Sequence, residues 1–428
     1  MVTIGRDQCA YCGGCVSMCP SGALELAETR LLIDQEQCSQ CELCLSGCPT
    51  GALTLETEPP QTATVDRQCD VVVVGAGPAG TTAARSAADR GHKVLLLEKR
   101  QEIGSPVRCA EGINREMLLT FLQLDECWIS ARVRRSEIVT ADTGEVRSFA
   151  GEETGYILER RVFDRALAEK AVGAGTSILL KTAVQGLITK NGVVRGVRAT
   201  DGHTEWEIEA RIVIGADGVE SRVGHWAGLD CTLRPSDSLV CAQYLLAGLD
   251  VDPECCLYYV GSDLAPGGYA WVFPKGEHRA NVGLGVQADL AQASAMEYLE
   301  RFIDQHPELE RGSPVTLVAG SVPVGIARGS IVTDGLMLVG DAARQADPLT
   351  GGGTANAMLA GRLAAEVAAK AVEEGDASAG ALKEYERRWQ EGRGRQMQRN
   401  YRLKERFSAA DRASHTFQRV FAVATAGK

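Results

Sequence analysis

The sequence predicts a chain of mixed α/β and α+β class, with a small cysteine-rich module followed by a parallel-sheet fold. Three observations predict it. Eight of the fifteen cysteines fall before residue 50, in two copies of one string. A run of β-branched residues, Asp70-Val71-Val72-Val73-Val74, leads straight into a glycine-rich turn and an alanine-rich segment, as a buried parallel strand feeding a helix does. Far downstream, Tyr269, Trp271 and Phe273 alternate and so share one face of a strand.

Size and charge bound the possibilities. A chain of 428 residues exceeds what one core usually supports, so two or three domains are expected. The net charge of −11 argues against general nucleic-acid binding. The acid excess is uneven: from Lys383 to Lys428 there are twelve basic and five acidic side chains. That tail reads as a solvated helix face, or as a contact with an anionic membrane surface or a phosphate-bearing substrate. The first residues, Met1 to Asp7, lead into no apolar signal segment. The most apolar stretch, Gly353 to Val372, carries Arg362, Glu366 and Lys370, so it reads as a buried or amphipathic helix and no transmembrane span is expected. A cytoplasmic protein, with contact at the inner membrane face as an option, is the expectation.

The cysteine strings are Cys9-x2-Cys12-x2-Cys15-x3-Cys19-Pro20 and Cys38-x2-Cys41-x2-Cys44-x3-Cys48-Pro49, offset by 29 residues. Ser21-Gly22-Ala23-Leu24 and Thr50-Gly51-Ala52-Leu53 extend the match, so the segment is an internal duplication. Zinc sites use paired cysteines or cysteine with histidine; no histidine lies here, and the strings exceed what zinc needs. Residues 5 to 56 resemble bacterial-type ferredoxins with two 4Fe–4S clusters. In that pattern the fourth cysteine of each string serves the other cluster. The resemblance implies Cys9, Cys12, Cys15 and Cys48 on one cluster, and Cys38, Cys41, Cys44 and Cys19 on the other.

Glu56 to Thr64 is polar, holds Pro59 and Pro60, and reads as a boundary. Beyond it, Gly75-Ala76-Gly77-Pro78-Ala79-Gly80 follows the strand and opens a helix, with Glu98 at the end of the next strand. That context makes the motif a dinucleotide fingerprint. Gly75 permits the turn, Gly77 lets the backbone approach a pyrophosphate, Gly80 allows close packing, and Glu98 takes the ribose.

Three later segments resemble the para-hydroxybenzoate-hydroxylase-type FAD superfamily: Ala210 to Gly218 with Asp217, Gly335 to Ala343 with Gly340 and Asp341, and Glu159 to Asp164 with Arg160. The resemblance implies FAD, with Asp341 on the ribitol and Pro348, Gly351, Gly352 and Gly353 near the flavin ring. No second G-x-G-x-x-G follows a strand, which favours electrons arriving through the clusters.

Pro266-Gly267-Gly268-Tyr269-Ala270-Trp271-Val272-Phe273-Pro274 is similar to a pattern of the geranylgeranyl reductase family. Gly104 to Ile113 resembles that family's cysteine loop, with Ala110 where glycine is common. The likeness covers residues 69 to about 375. It implies a FAD set that adds Pro78, Ala79, Lys99, Arg108, Cys109 and Ala110. Tyr269, Trp271, Phe273 and Pro274 are implied for substrate, and Cys109, Tyr269 and Trp271 for catalysis. Read without the resemblance, the aromatics equally pack a core, and Cys109 is equally a buried apolar residue.

The fold implied is a ferredoxin module over 1–58, a linker over 59–68, and a discontinuous Rossmann-like FAD domain over 69–110, 155–235 and 326–375. An antiparallel substrate domain occupies 111–154 and 236–325, and C-terminal helices occupy 376–428. The activity implied is reduction of isolated double bonds in geranylgeranyl or polyprenyl lipids or diphosphates. A low-potential donor such as a ferredoxin would supply electrons, since many such clusters sit near about −400 mV. A quinone-reducing electron-transfer flavoprotein and a non-catalytic electron carrier are the rival readings.

Overall fold

The computed structural model describes residues 1–55, 63–202 and 204–406. The N-terminal module holds two small antiparallel ladders, Val2–Ile4 with Leu53–Leu55 and Leu24–Ala27 with Arg30–Ile33. Two one-turn helices, Gly14–Ser17 and Leu43–Ser46, complete it. The duplication in sequence is also a duplication of backbone. Tyr11 and Gln40 (φ 55° and 57°), Gly13 and Glu42 (75° and 63°), and Gly22 and Gly51 (66° and 60°) are left-handed at the same 29-residue offset. Three of these six are not glycine. Each such residue costs of order 1–3 kcal/mol, so the tight loops around the cysteines are imposed by the surrounding fold rather than by local preference.

One eight-stranded sheet, that of the FAD-type fold, runs Ser177–Leu179, Val94–Leu97, Ala63–Val74, Thr204–Gly215, Val193–Thr200, Ala183–Lys190, with Leu336–Leu338 parallel to the end of Thr204–Gly215 and Val332–Thr333 antiparallel to Leu336–Leu338. Val71 to Val73 and Ile212 to Ile214 are fully buried, as expected of adjacent parallel strands at the centre of a sheet. The Pro78–Ala88 helix starts immediately after the glycine turn, with proline in its first turn, where a missing N–H costs nothing. Its small residues let the long Thr354–Glu374 helix pack closely against it, burying Ala83, Ala84, Ala360 and Ala364.

A second, eight-stranded sheet runs Ser313–Pro323, Ser238–Ala247, Arg279–Gln287, Tyr269–Pro274, Cys255–Val260, Ile129–Thr140, Val146–Leu158, Gly112–Asn114. One face is closed by the Ala295–Asp304 helix, through Tyr298, Leu299 and Phe302. The other face turns toward the FAD-type domain. Helices Ala379–Trp389 and Arg395–Arg406 end the described chain; the expected helical region beyond residue 406 lies outside the described residues.

Two expected boundaries differ. Residues 63–68, expected in a linker, belong to the twelve-residue strand Ala63–Val74. Thr204 to Glu209 supplies a parallel partner along their length, and pairing overrides the polar composition. Residues 155–158, expected in the FAD domain, finish the Val146–Leu158 strand of the second sheet, with Gly155 to Ile157 paired to Gly112–Asn114.

Candidate active site

The thiols assemble as two crossed sets. Cys19, Cys38, Cys41 and Cys44 line a recess that Val2, Ala23, Leu24 and Ile33 also line. Burial pushes the Cys44 thiol up, and the neighbouring Cys38, Cys41 and Cys19 push it further. Burial likewise raises Cys15, with Cys48 and Cys9 adding. The sulfurs stand around the recess rather than meeting at one point; among the described residues no three His, Cys, Asp or Glu side chains converge closely enough for a single ion. A recess lined by four thiols and by apolar side chains, held by left-handed loops, fits an iron–sulfur cluster.

Among the described residues, side chains tie the module to the FAD-type domain near Cys9. The Lys181 ammonium donates to the Cys9 carbonyl at 2.9 Å, and the Gln8 amide donates to the Gly202 carbonyl. The Lys181 and Thr182 N–H groups donate to the Arg100 and Glu98 carbonyls. The module therefore meets the larger domain beside Glu98.

The glycine turn suits a dinucleotide. A Cβ at Gly75 would lie 2.4 Å from the Ala216 carbonyl oxygen, and one at Gly80 would lie 1.9 Å from that of Gly75, while Gly77 faces open space. The Glu98 carboxylate accepts from the Ala76 and Arg100 N–H groups, each at 2.9 Å, and has lone pairs left for ribose hydroxyls. Asp217 accepts from the Val223 N–H through Oδ2, while its buried Oδ1 has no partner among the described residues. Burial raises the Asp217 carboxyl. An orphaned acceptor beside an open glycine turn is what bound FAD would satisfy. Gly80→Ala is expected to weaken FAD binding about tenfold or more, about 1.4 kcal/mol, read as flavin retained after gel filtration. Lys99, by contrast, is engaged by Glu220 at 2.7 Å and is half exposed.

At the other end of this cradle four elements converge. Arg160, at the start of the Arg160–Gly173 helix, forks onto Asp164 at 2.7 and 2.9 Å. Burial opposes its charge, but Asp164, the Cys109 thiol and Glu111 together hold it firmly protonated. Burial raises Asp341, with Arg344 and Arg160 pulling it back. The aromatic strand presents Tyr269, Trp271 and Phe273 to the same region, where they pack with Ala110, Cys241 and Tyr258. Trp271 donates to Gln243 Oε1 at 2.9 Å, and Gln243 donates to the Cys109 carbonyl at 3.4 Å. The Tyr269 hydroxyl reaches the Thr350 carbonyl, tying the strand to the loop that holds Pro348, Gly351, Gly352 and Gly353. Burial pushes the Cys241 thiol up to about 12, with Cys109 adding. Arg108 is exposed, and Pro274 is buried at the strand end. A small recess opens beside Tyr269, Pro348 and Leu349, with Lys404 at its edge.

Sequence reasoning missed the network beneath this site. Lys275, directly after the aromatic strand, is buried with its ammonium on Glu111 Oε2, on Glu159 at 3.1 Å and on the Leu158 carbonyl at 2.9 Å. Asn281 donates to Glu111 Oε2 at 2.7 Å and to the Ala110 carbonyl at 3.2 Å. Glu111 Oε1 accepts from the Arg160 N–H at 2.9 Å, and its own N–H points at Cys109 Sγ at 3.2 Å. One carboxylate thus links the cysteine loop, the Arg160 helix and the aromatic sheet. The available signal is the charged Lys275 placed directly after the apolar run Tyr269 to Pro274.

Comparison with known proteins agrees with this geometry. The 4Fe-4S dicluster domain family matches residues 3–55, the FAD dependent oxidoreductase family residues 70–243, and the geranylgeranyl reductase catalytic domain family residues 237–322. A digeranylgeranylglycerophospholipid reductase of Methanosarcina acetivorans is 49% identical over 332 residues, 76% of this chain and 81% of its own. The protein of the same name from Methanothrix thermoacetophila is 49% identical over 344 residues, 79% of this chain and 88% of its own. A geranylgeranyl bacteriochlorophyll reductase-like structure from Thermoplasma acidophilum superposes with a TM-score of 0.78 at 41% identity, covering 82% of this chain and 92% of that one. A flavin-dependent brominase, 20% identical with a TM-score of 0.65, shares the fold alone. With an FAD cradle, an aromatic sheet over a cysteine loop and a fused iron–sulfur module, the chain belongs to the geranylgeranyl reductase family of FAD-dependent oxidoreductases.

Proposed function

We propose that this enzyme saturates the isolated double bonds of geranylgeranyl chains on a glycerophospholipid, with electrons fed through two fused 4Fe–4S clusters. The observation that carries the reading is that Arg160 acts electrostatically on the Cys109 sulfur while Gln243 joins the Cys109 carbonyl to Trp271 of the Tyr269–Trp271–Phe273 strand. The names of the relatives support the lipid class.

Bound FAD supplies hydride-transfer chemistry and the iron–sulfur centres supply single electrons. The aromatic face gives an isoprenoid chain a large, rigid contact surface. Trp271, pinned by Gln243, fixes the height of that surface relative to the Cys109 loop. Arg160 keeps a positive charge beside the Cys109 sulfur, where a proton given to the alkene would leave negative charge behind. Cys109 is the proposed donor, with Tyr269 and Trp271 positioning the chain. Phe273 and Pro274 extend the wall. Gly75, Gly77, Pro78, Ala79, Gly80, Glu98 and Asp217 are assigned to the phosphate and ribose half of FAD. Arg108, Ala110, Gly340, Asp341, Pro348 and Gly351 to Gly353 are assigned to the ring half. A low-potential donor protein and peripheral contact with a membrane complete the picture; among the described residues no helix is long and apolar enough to cross one.

The test incubates chemically reduced enzyme with a digeranylgeranyl phospholipid in detergent and follows product mass. Gains in steps of about 2 Da per saturated bond are expected. Unchanged lipid together with reduction of an added quinone would replace this reading with the electron-transfer one.

A further inference from the structure

The last described helix, Arg395–Arg406, has two unlike faces. Its inner face is tied to the site. The Asn400 amide donates to Asp347 at 2.7 Å, and that carboxylate also caps the Leu349 and Thr350 N–H groups. Lys404 donates to the Ser236 and Val324 carbonyls at the edge of the recess. Leu403 packs into the cluster of Leu349, Tyr258 and Tyr269.

The outer face carries Arg395, Arg399, Arg402 and Arg406, all exposed. Their spacing of four, three and four places them in one stripe, about 17 Å long at 1.5 Å per residue. The contrast with neighbouring arginines is sharp. Arg387 pairs with Glu384 and Glu391, Arg388 with Glu366, and Arg393 donates to Asn356. None of the four stripe arginines makes an ion pair among the described residues. Like charges three and four apart destabilise a helix, and the helix's one carboxylate, Glu405, forms no ion pair with the stripe among the described residues, so one carboxylate stands against four guanidinium groups and an external anion is needed to balance the row. Residues 407–428 are a poor source, with Asp411 set against Arg412, Arg419 and Lys428. The chain as a whole is strongly acidic, so general attraction to anions does not account for a row of this kind.

We propose that the Arg395–Arg399–Arg402–Arg406 stripe docks the enzyme on an anionic lipid bilayer. A flat, evenly charged surface matches a straight row of guanidinium groups, which also bind phosphate in a forked geometry. Docking sets the substrate recess about one helix diameter, 10–12 Å, behind the headgroup plane. The purpose rests on the reading that the site takes a membrane lipid; the binding itself does not.

The experiment uses the full-length holoenzyme and vesicle flotation. Vesicles of phosphatidylcholine with about one-third phosphatidylglycerol are compared with phosphatidylcholine alone. Binding to the mixed vesicles at least about tenfold above the neutral ones, lost in high salt, is expected. The R395Q/R399Q/R402Q/R406Q variant should lose that binding while retaining FAD and full turnover of detergent-solubilised lipid. Equal binding to both vesicle types, or no binding, would overturn the proposal. So would a weaker response of the variant to an acidic donor protein with vesicle binding intact, which would assign the stripe to a protein. Because salt and lipid charge are read on the wild-type enzyme, an unstable variant leaves the proposal testable. Failure of reductase activity with intact docking would instead count against the proposed substrate.

Discussion

Cys41→Ser should abolish turnover driven by a protein electron donor while leaving turnover with dithionite-reduced flavin near wild type. Cys41 is exposed and stands at the rim of the recess shared with Cys19, Cys38 and Cys44. Serine offers an alkoxide in place of a soft thiolate, and iron–sulfur clusters depend on the latter. Losing a direct ligand exceeds the 10–100-fold penalty typical of second-shell changes, so a loss of about a hundredfold or more in donor-driven rate is expected. The FAD cradle begins at Gly75, outside the module, and flavin content should hold. The measurement is a pair of steady-state assays on one preparation, with iron and flavin quantified. Equal loss in both assays, with FAD still bound, would mean that the clusters do more than feed electrons. Cys12→Ser, in the other thiol set, should behave alike, since an electron route in series fails at either link.

Lys275→Met should destabilise the folded enzyme by about 3–5 kcal/mol, the usual result of leaving one member of a buried pair uncompensated. Glu111 would keep its bonds to Asn281 and the Arg160 N–H, but its charge would lose its nearest cation. Adding Glu111→Gln should restore much of the stability, because the buried charge then disappears as well. Denaturant midpoints of the wild type, both single variants and the double variant give the coupling directly. Full additivity of the two single effects would remove Glu111 as the linking group. The double variant also isolates function. If the pair only stabilises, the double variant turns over normally; if it sets the Cys109 loop, the alkylation rate of Cys109 changes along with turnover.

Much of this was readable before any coordinates. The cysteine strings carry their own geometry, because a cluster demands particular spacings and little else does. The glycine turn was readable because strand, turn, helix and trailing acid all lie within thirty residues. The Glu111–Lys275 pair was not: its members are 164 positions apart, and periodicity says nothing about which distant charge a buried lysine meets. Gln243 is silent for the same reason, being a polar residue in the middle of a largely apolar strand. Residues 63–68 looked like linker because their composition is polar, and only the partner strand from Thr204 makes them part of a sheet. The basic tail is visible as a composition; its resolution into paired arginines and a stripe with no ion pair among the described residues needs the helix phase.

The covalent joining of the two parts of the molecule, whose contact among the described residues includes one ammonium on the Cys9 carbonyl and one amide on the Gly202 carbonyl, has a kinetic meaning. Bonds of this kind alone would hold separate proteins together only fleetingly. Joined in one chain they need not do more, because a tether keeps the partner at an effective concentration in the millimolar range whatever the abundance of the enzyme. Reduction of the flavin by its own module becomes a unimolecular event, insensitive to dilution. Competition among redox proteins in the cell is confined to the step that charges the module. A weak seam suffices where encounter is guaranteed, and a substitution at Lys181 should alter the rate of internal transfer without altering how that rate depends on enzyme concentration.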